Sequence, residues 1–234
     1  MLAVPFENLD IALGRRIVLS PDAFFDKIVR QRRGGFCYEL NGLFAWLLEE
    51  LGFAVTMLSA RVWDGERPGP EFDHMTLRVE IERRAFIADV GFGDSFLEPL
   101  LLNDSEIAVQ RGHAYRITGS HPELVLESRG GDSAWQPQYA FSLTPRRLAE
   151  FSGMCEYHQT SPASHFTRKT ICSLATPAGR VTLAGRRAIV TASGREERNI
   201  ADENEYRTLL GTWFGIDLGG TMPFPDNRQL TTED

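Results

Sequence analysis

The chain is 234 residues long, 42% hydrophobic and 24% charged, with a formal net charge of −7. That length holds one large domain or a few small ones sharing a core. The acidic balance argues against nonspecific binding to nucleic acid or an anionic membrane, and no apolar run reaches the roughly eighteen residues of a membrane span.

Ser20 and Pro21 predict the N-cap and first position of a short helix, with Phe25, Ile28 and Val29 on its buried face. It should end before Gly34 and Gly35. Leu40, Leu43, Phe44, Leu47, Leu48 and Leu51 then recur at steps of three and four, and Gly52 follows as a stop. From Phe53 onward the period changes to two. FAVTMLSARVW, HMTLRVEI and RAFIADV are predicted strands, the last two joined by a tight turn at Glu82 and Arg83, and a further pair lies between Tyr115 and Ser128. VPFENLD, WDGERPGPEFD and residues 128–137 are predicted loops. Thr144 and Pro145 are expected to open a helix through Leu148, Phe151 and Cys155. RKTICSLAT, GRVTLAG and RRAIVTA alternate like a small antiparallel sheet. A last helix carries Tyr206, Leu209, Leu210, Trp213 and Phe214 and stops at Gly215. The tail GGTMPFPDNRQLTTED is expected to be loosely held. Helices and strands segregated in this order predict an α+β fold.

Three cysteines, Cys37, Cys155 and Cys172, are too few and too scattered for a disulfide framework or a zinc site, so reduced thiols, a cytoplasmic location and no metal are expected. The N-terminus lacks the blocks of a signal peptide. Most free cysteines are small buried apolar residues, and Cys37 alone would be read so. Its setting, RRGGFCYELNGLF, is different. A helix's first turn offers N–H groups and a positive dipole end that favour a thiolate. Gly34 and Gly35 permit close backbone approach to a substrate, and Arg32 and Arg33 add positive charge.

A thiolate nucleophile needs a base, and the base needs an orienting group. His74 opens one predicted strand, and Asp89 lies near the end of the next. If Glu82 and Arg83 form a two-residue turn, Ile81 faces Arg84 and His74 faces Gly91. Asp89 is then the diagonal neighbour of His74 on the same face, about 7–8 Å away between backbones. A three-residue turn would reverse that parity. Cysteine, histidine and aspartate in this order are spaced far more tightly than in papain-type proteases, whose histidine follows by about 130–150 residues. The spacing matches a transglutaminase-like core. His113 and His158 lie apart from this pattern and are read as surface or packing residues.

RRGGFCYELN, with VPFENLD before it and ARVW and ADVGFG after it, resembles the arylamine N-acetyltransferase family. SPASHFTRKTICSLAT, GRVTL and FGIDL extend the resemblance over nearly the whole chain. It implies a helical bundle over 1–52, an antiparallel β-barrel over 53–143, and a linker helix with an α/β lid over 144–234, around a cysteine-protease-like core. The resemblance further implies a Cys37–His74–Asp89 triad that carries acetyl from acetyl-CoA, as co-substrate, to arylamines or arylhydrazines by a ping-pong route. It places CoA or acceptor contacts at Gly91, Phe92, Gly93 and Trp63, and a bracing ion pair at Arg33 and Glu39.

Family members carry roughly thirty further residues ahead of VPFENLD, including an amphipathic helix. Only MLA stands there here, so the bundle is expected to be truncated. Apolar surface on the Cys37 helix would then lie open, predicting weak stability or a homo-oligomer. Three alternatives share the triad or its remains: an amide synthase of antibiotic biosynthesis, a cysteine hydrolase, and an inactive truncated homologue.

Overall fold

A computed structural model describes residues 2–102, 106–220 and 224. Close packing groups the chain into two units: residues 37–154, and residues 1–36 together with 155–234.

The first of these begins with the helix Cys37–Glu50 and continues as an eight-stranded antiparallel sheet. In spatial order its strands are Leu100–Leu101, Arg84–Ala88, His74–Ile81, Ala54–Val62, Gln136–Arg146, Glu123–Gly130, His113–Ser120 and Ala108–Gln110. The sheet curls into a nearly closed barrel. Ile87 and Leu100 from one end share a buried core with Tyr115 and Ile117 from the other, around Leu58, Leu126, Tyr139 and Phe141. A smaller core, Ala45 with Leu77, Val79 and Ala88, seats the helix on the outer face of the sheet.

In the other unit a five-stranded antiparallel sheet runs Phe6–Glu7, Ile171–Thr176, Gly179–Ala184, Arg187–Thr191 and Arg195–Asn199. The helix Glu203–Phe214 packs Tyr206, Leu209, Leu210 and Phe214 against Leu183 and Ala188 of that sheet. Asp202 caps its start by accepting from the Glu205 N–H, and Gly215, at φ 68°, ends it.

The α+β class and most strands agree with the alternation in the sequence. Five readings need correction. The Ser20 cap and Pro21 are as expected, but the helix ends in a wide turn over Asp26–Arg30, in which the Gln31 N–H reaches the Asp26 carbonyl. That extra residue rotates the side chains: Phe24, Lys27 and Ile28 point inward, while Val29 is exposed. On the Cys37 helix the polar Glu39 and Asn41 are buried, and Trp46, Leu47 and Leu51 are exposed. The helix expected at Thr144 starts later, with a tight turn over Leu148–Phe151 leading into Ser152–Thr160. Thr144 and Pro145 instead close the strand Gln136–Arg146, which lies mid-sheet and overlaps the predicted loop at 128–137. Its Pro145 sits beside Leu58 where the register shifts, the kind of irregularity that tolerates a residue without an N–H. Finally, Phe6–Glu7 inside VPFENLD is an edge strand, not a loop. The tail from residue 221, apart from Phe224, lies outside the described residues.

Candidate active site

The hairpin register decides the site. Glu82 and Arg83 form a two-residue turn with φ of 49° and 67°, the left-handed pair that suits the twist of a hairpin. Ile81 therefore pairs with Arg84, and the ladder runs back to Leu77 opposite Ala88. One step further along this register, Asp89 stands opposite Thr76 and diagonal to His74. The two side chains meet: His74 Nε2 lies 2.6 Å from Asp89 Oδ2, with both residues buried.

Each oxygen of Asp89 has two donors. Oδ2 meets His74 and accepts from the Tyr139 hydroxyl at 3.1 Å. Oδ1 accepts from Asn41 Nδ2 at 2.9 Å and from the Gly91 N–H at 2.9 Å. Burial alone would raise the Asp89 carboxyl. A charged imidazole at His74, its hydrogen bond, and the Asn41 and Gly91 donors outweigh that and hold it below the usual carboxylate range. For Tyr139, burial and the neighbouring Asp89 charge push the phenol well above its ordinary value. The hydroxyl thus remains a donor.

Cys37 is the first residue of its fourteen-residue helix and is buried. The loop after Asp89 passes directly against it. A Cβ on Gly91 would lie 2.8 Å from Cys37 Cα and 2.7 Å from Asn41 Nδ2, so only glycine fits there. Phe92 sets its ring edge-on to His74 at 5.2 Å between centroids and also touches Tyr139. Gly93 takes a φ of 93°. Trp63 follows the end of the strand Ala54–Val62, where its backbone N–H donates to the carbonyl of Gln138, the neighbour of Tyr139, and its backbone bridges Pro68.

The other half of RRGG has a structural use. A Cβ on Gly34 would fall 2.0 Å from the Pro5 carbonyl oxygen, and Gly35 bridges Phe6 in a parallel contact. The close approach expected toward a substrate is thus made to the chain itself. Arg33 is buried, with Nη2 2.7 Å from Glu7 Oε1 and 3.0 Å from Asp10 Oδ1. Lys27 completes the cluster at 2.8 Å from Asp10. Of the two histidines set aside, His113 is exposed and His158 packs against Phe166 and Ser164.

Two contributors to the site escaped the sequence reading. Asn41 carried a signal, as a polar residue one turn after Cys37 on a face otherwise made for burial. Tyr139 lies in QPQYAFSLTPR, where two prolines concealed a central strand.

An α+β chain with a buried thiol at a helix start, set against a histidine–aspartate hairpin, defines the general class of protein. Comparison with known proteins places it within that class. The N-acetyltransferase family model matches residues 1–222. Arylamine N-acetyltransferase of Mycolicibacterium smegmatis is 38% identical over 228 residues, covering 93% of this chain and 82% of that one. Arylamine N-acetyltransferase 2 of Mus musculus is 34% identical over 244 residues, covering 92% and 83%. Among solved structures, the M. smegmatis enzyme superposes with a TM-score of 0.87 at 34% identity, covering 96% of this chain and 85% of that one. The Mycobacterium marinum enzyme in complex with CoA gives 0.84 at 32% identity, covering 92% and 82%. The chain belongs to the arylamine N-acetyltransferase family and is an N-acetyltransferase.

Proposed function

We propose that the enzyme moves an acetyl group from acetyl-CoA to an arylamine or arylhydrazine through a thioester on Cys37, with His74 and Asp89 as its catalytic partners. The observation that carries this reading is the buried His74–Asp89 pair, with both carboxylate oxygens hydrogen-bonded, joined through Asn41 and Gly91 to the helix turn that begins at Cys37. The relatives are named as arylamine N-acetyltransferases, and one was solved with CoA.

Because Asp89 engages Nε2 of His74, Nδ1 is the nitrogen that takes the Cys37 proton. The thiolate attacks the thioester carbonyl of acetyl-CoA. Collapse of the tetrahedral intermediate breaks the bond to the CoA sulfur, which leaves with the proton held on His74. The amine then attacks the acetyl-cysteine, His74 accepts its proton, and the Cys37 thiolate departs. Asp89 fixes the imidazole and stabilises its charged form in both halves. The helix start favours the thiolate in the free enzyme, as attacking group in the first half and as leaving group in the second.

Gly91, Phe92 and Gly93 form part of the proposed wall for CoA and acceptor, with Trp63 as a further CoA contact. Trp63→Ala should raise the KM for acetyl-CoA and leave kcat nearly unchanged; an unchanged KM removes Trp63 from the site. Homo-oligomerisation is also proposed, on the exposed Trp46, Leu47, Leu51 and Phe53. A monomer at every concentration in sedimentation would exclude it. A cytoplasmic location is proposed from three cysteines that form no disulfide among the described residues, and fractionation of cells tests it. We propose the three-part division at residues 52 and 143 on the family resemblance, and limited proteolysis that cuts elsewhere would break it.

The central test is intact-protein mass spectrometry after mixing with acetyl-CoA. One acetyl adduct should appear, vanish in Cys37→Ala, and be discharged by an arylamine or hydrazine. A folded protein that forms no adduct would overturn the thioester route.

A further inference from the structure

We propose that Asn41 is a positioning residue for this reaction, its side-chain amide holding the Asp89 carboxylate, and through it the His74 ring, to the helix that starts at Cys37. The inference rests on the thioester reading above and adds a residue to it. Asn41 is completely buried. Its Nδ2 donates to Asp89 Oδ1 at 2.9 Å and to the Met75 carbonyl at 2.6 Å, while its Oδ1 accepts from the Val90 N–H at 2.9 Å. The orientation is unambiguous, because a carboxylate and a carbonyl can only accept and the Val90 N–H can only donate.

Those three bonds reach both strands of the hairpin. Met75 is next to His74, and Val90 is next to Asp89. Asn41 lies one helical turn after Cys37, so a single amide ties the thiol-bearing turn to both residues of the pair. The same helix makes a second tie. The Tyr38 hydroxyl donates to the Phe72 carbonyl at 2.6 Å, two residues before His74, where Phe72 has a left-handed φ of 66°. Tyr38 therefore fixes the approach to His74, and Asn41 fixes the carboxylate behind it. With Oδ1 held by Asn41 and Gly91, the carboxylate cannot rotate, and Oδ2 is presented to Nε2.

Loss of the amide should loosen Asp89, weaken the charged imidazole and so raise the pH at which Cys37 becomes a thiolate. The test compares wild type with Asn41→Ala and with Asn41→Ser, whose hydroxyl can hold a water in the space left. Each is checked for folding by circular dichroism. Cys37 alkylation by iodoacetamide is followed against pH, with peptide mapping to separate it from Cys155 and Cys172. The midpoint should move up by about one unit. Acetylation by acetyl-CoA should slow by roughly ten- to a hundredfold, the range expected for a hydrogen bond to a charged group, with little change in KM. A role in stability alone would lower Tm and leave the alkylation midpoint in place. That result, in whichever variant folds, overturns the proposal. Alkylation does not require acetyl-CoA, so wild-type protein that fails to acetylate would count against the thioester route, and the midpoint shift would still decide the role of Asn41.

Discussion

Two buried carboxylates, Glu7 and Asp89, occupy different units of this molecule and have engaged oxygens, but their partners differ in kind. Glu7 faces Arg33 and Lys27, and its other oxygen accepts from the Leu9 N–H at 2.8 Å. With Asp10 the group holds two negative and two positive side chains, a closed set of permanent charges. Asp89 faces one imidazole, one phenol, one amide and one backbone N–H. Of these partners only the imidazole carries both a ring N–H and a basic ring nitrogen, so it alone can take up one proton while donating another. Enclosed permanent charge locks a fold, whereas a carboxylate paired with a titratable ring leaves a proton free to move. Burial and hydrogen-bond satisfaction are alike in the two places; the chemistry of the partner separates them.

The largest test of that contrast is His74→Ala. It should slow acetylation of Cys37 by about 10²–10⁴-fold, measured by quenched mixing with mass detection, while the fold persists. Wild-type rates would place the base elsewhere. Arg33→Met should act in the opposite way, on stability. Leaving Glu7 and Asp10 without the guanidinium should cost about 3–5 kcal/mol in urea unfolding. Its folded fraction should acetylate far faster than His74→Ala, and equal impairment of the two variants would erase the distinction.

Acid joins the two regions again. Burial alone would raise Asp10, but Lys27 and Arg33 hold its carboxyl below the usual range, as the His74 pairing does for Asp89. A carboxyl depressed in the folded state contributes stability that is fully present above its unfolded value of about 3.9 and is lost as pH falls through the folded value. Stability should therefore decline below about pH 4, and Asp89→Asn should show a shallower acid arm than wild type. Identical slopes would mean that Asp89 is not held low. The smallest effect concerns the turn that sets the register. Replacing Glu82 and Arg83 with Asn and Gly should stabilise the protein by about 1 kcal/mol, because these residues suit left-handed backbone. A lower Tm would show that the side chains at the turn matter more than its backbone.

Much of this was present in residue order. Period-two segments marked five of the eight barrel strands, Gly52 and Gly215 marked helix ends, and the parity of a two-residue turn brought His74 and Asp89 to one face. These are local properties, fixed by steric preference and alternation along a few residues. The tertiary structure decided what local rules cannot. A wide turn brought Lys27 inward to Asp10, Gly34 served a contact with Pro5 instead of a ligand, and a strand carrying two prolines supplied Tyr139 to Asp89. In the same way Asn41 was visible only as part of a motif until its three hydrogen bonds joined the helix to the hairpin. Local periodicity says which face a residue occupies, but the partner it finds there comes from distant segments that meet only in the folded chain.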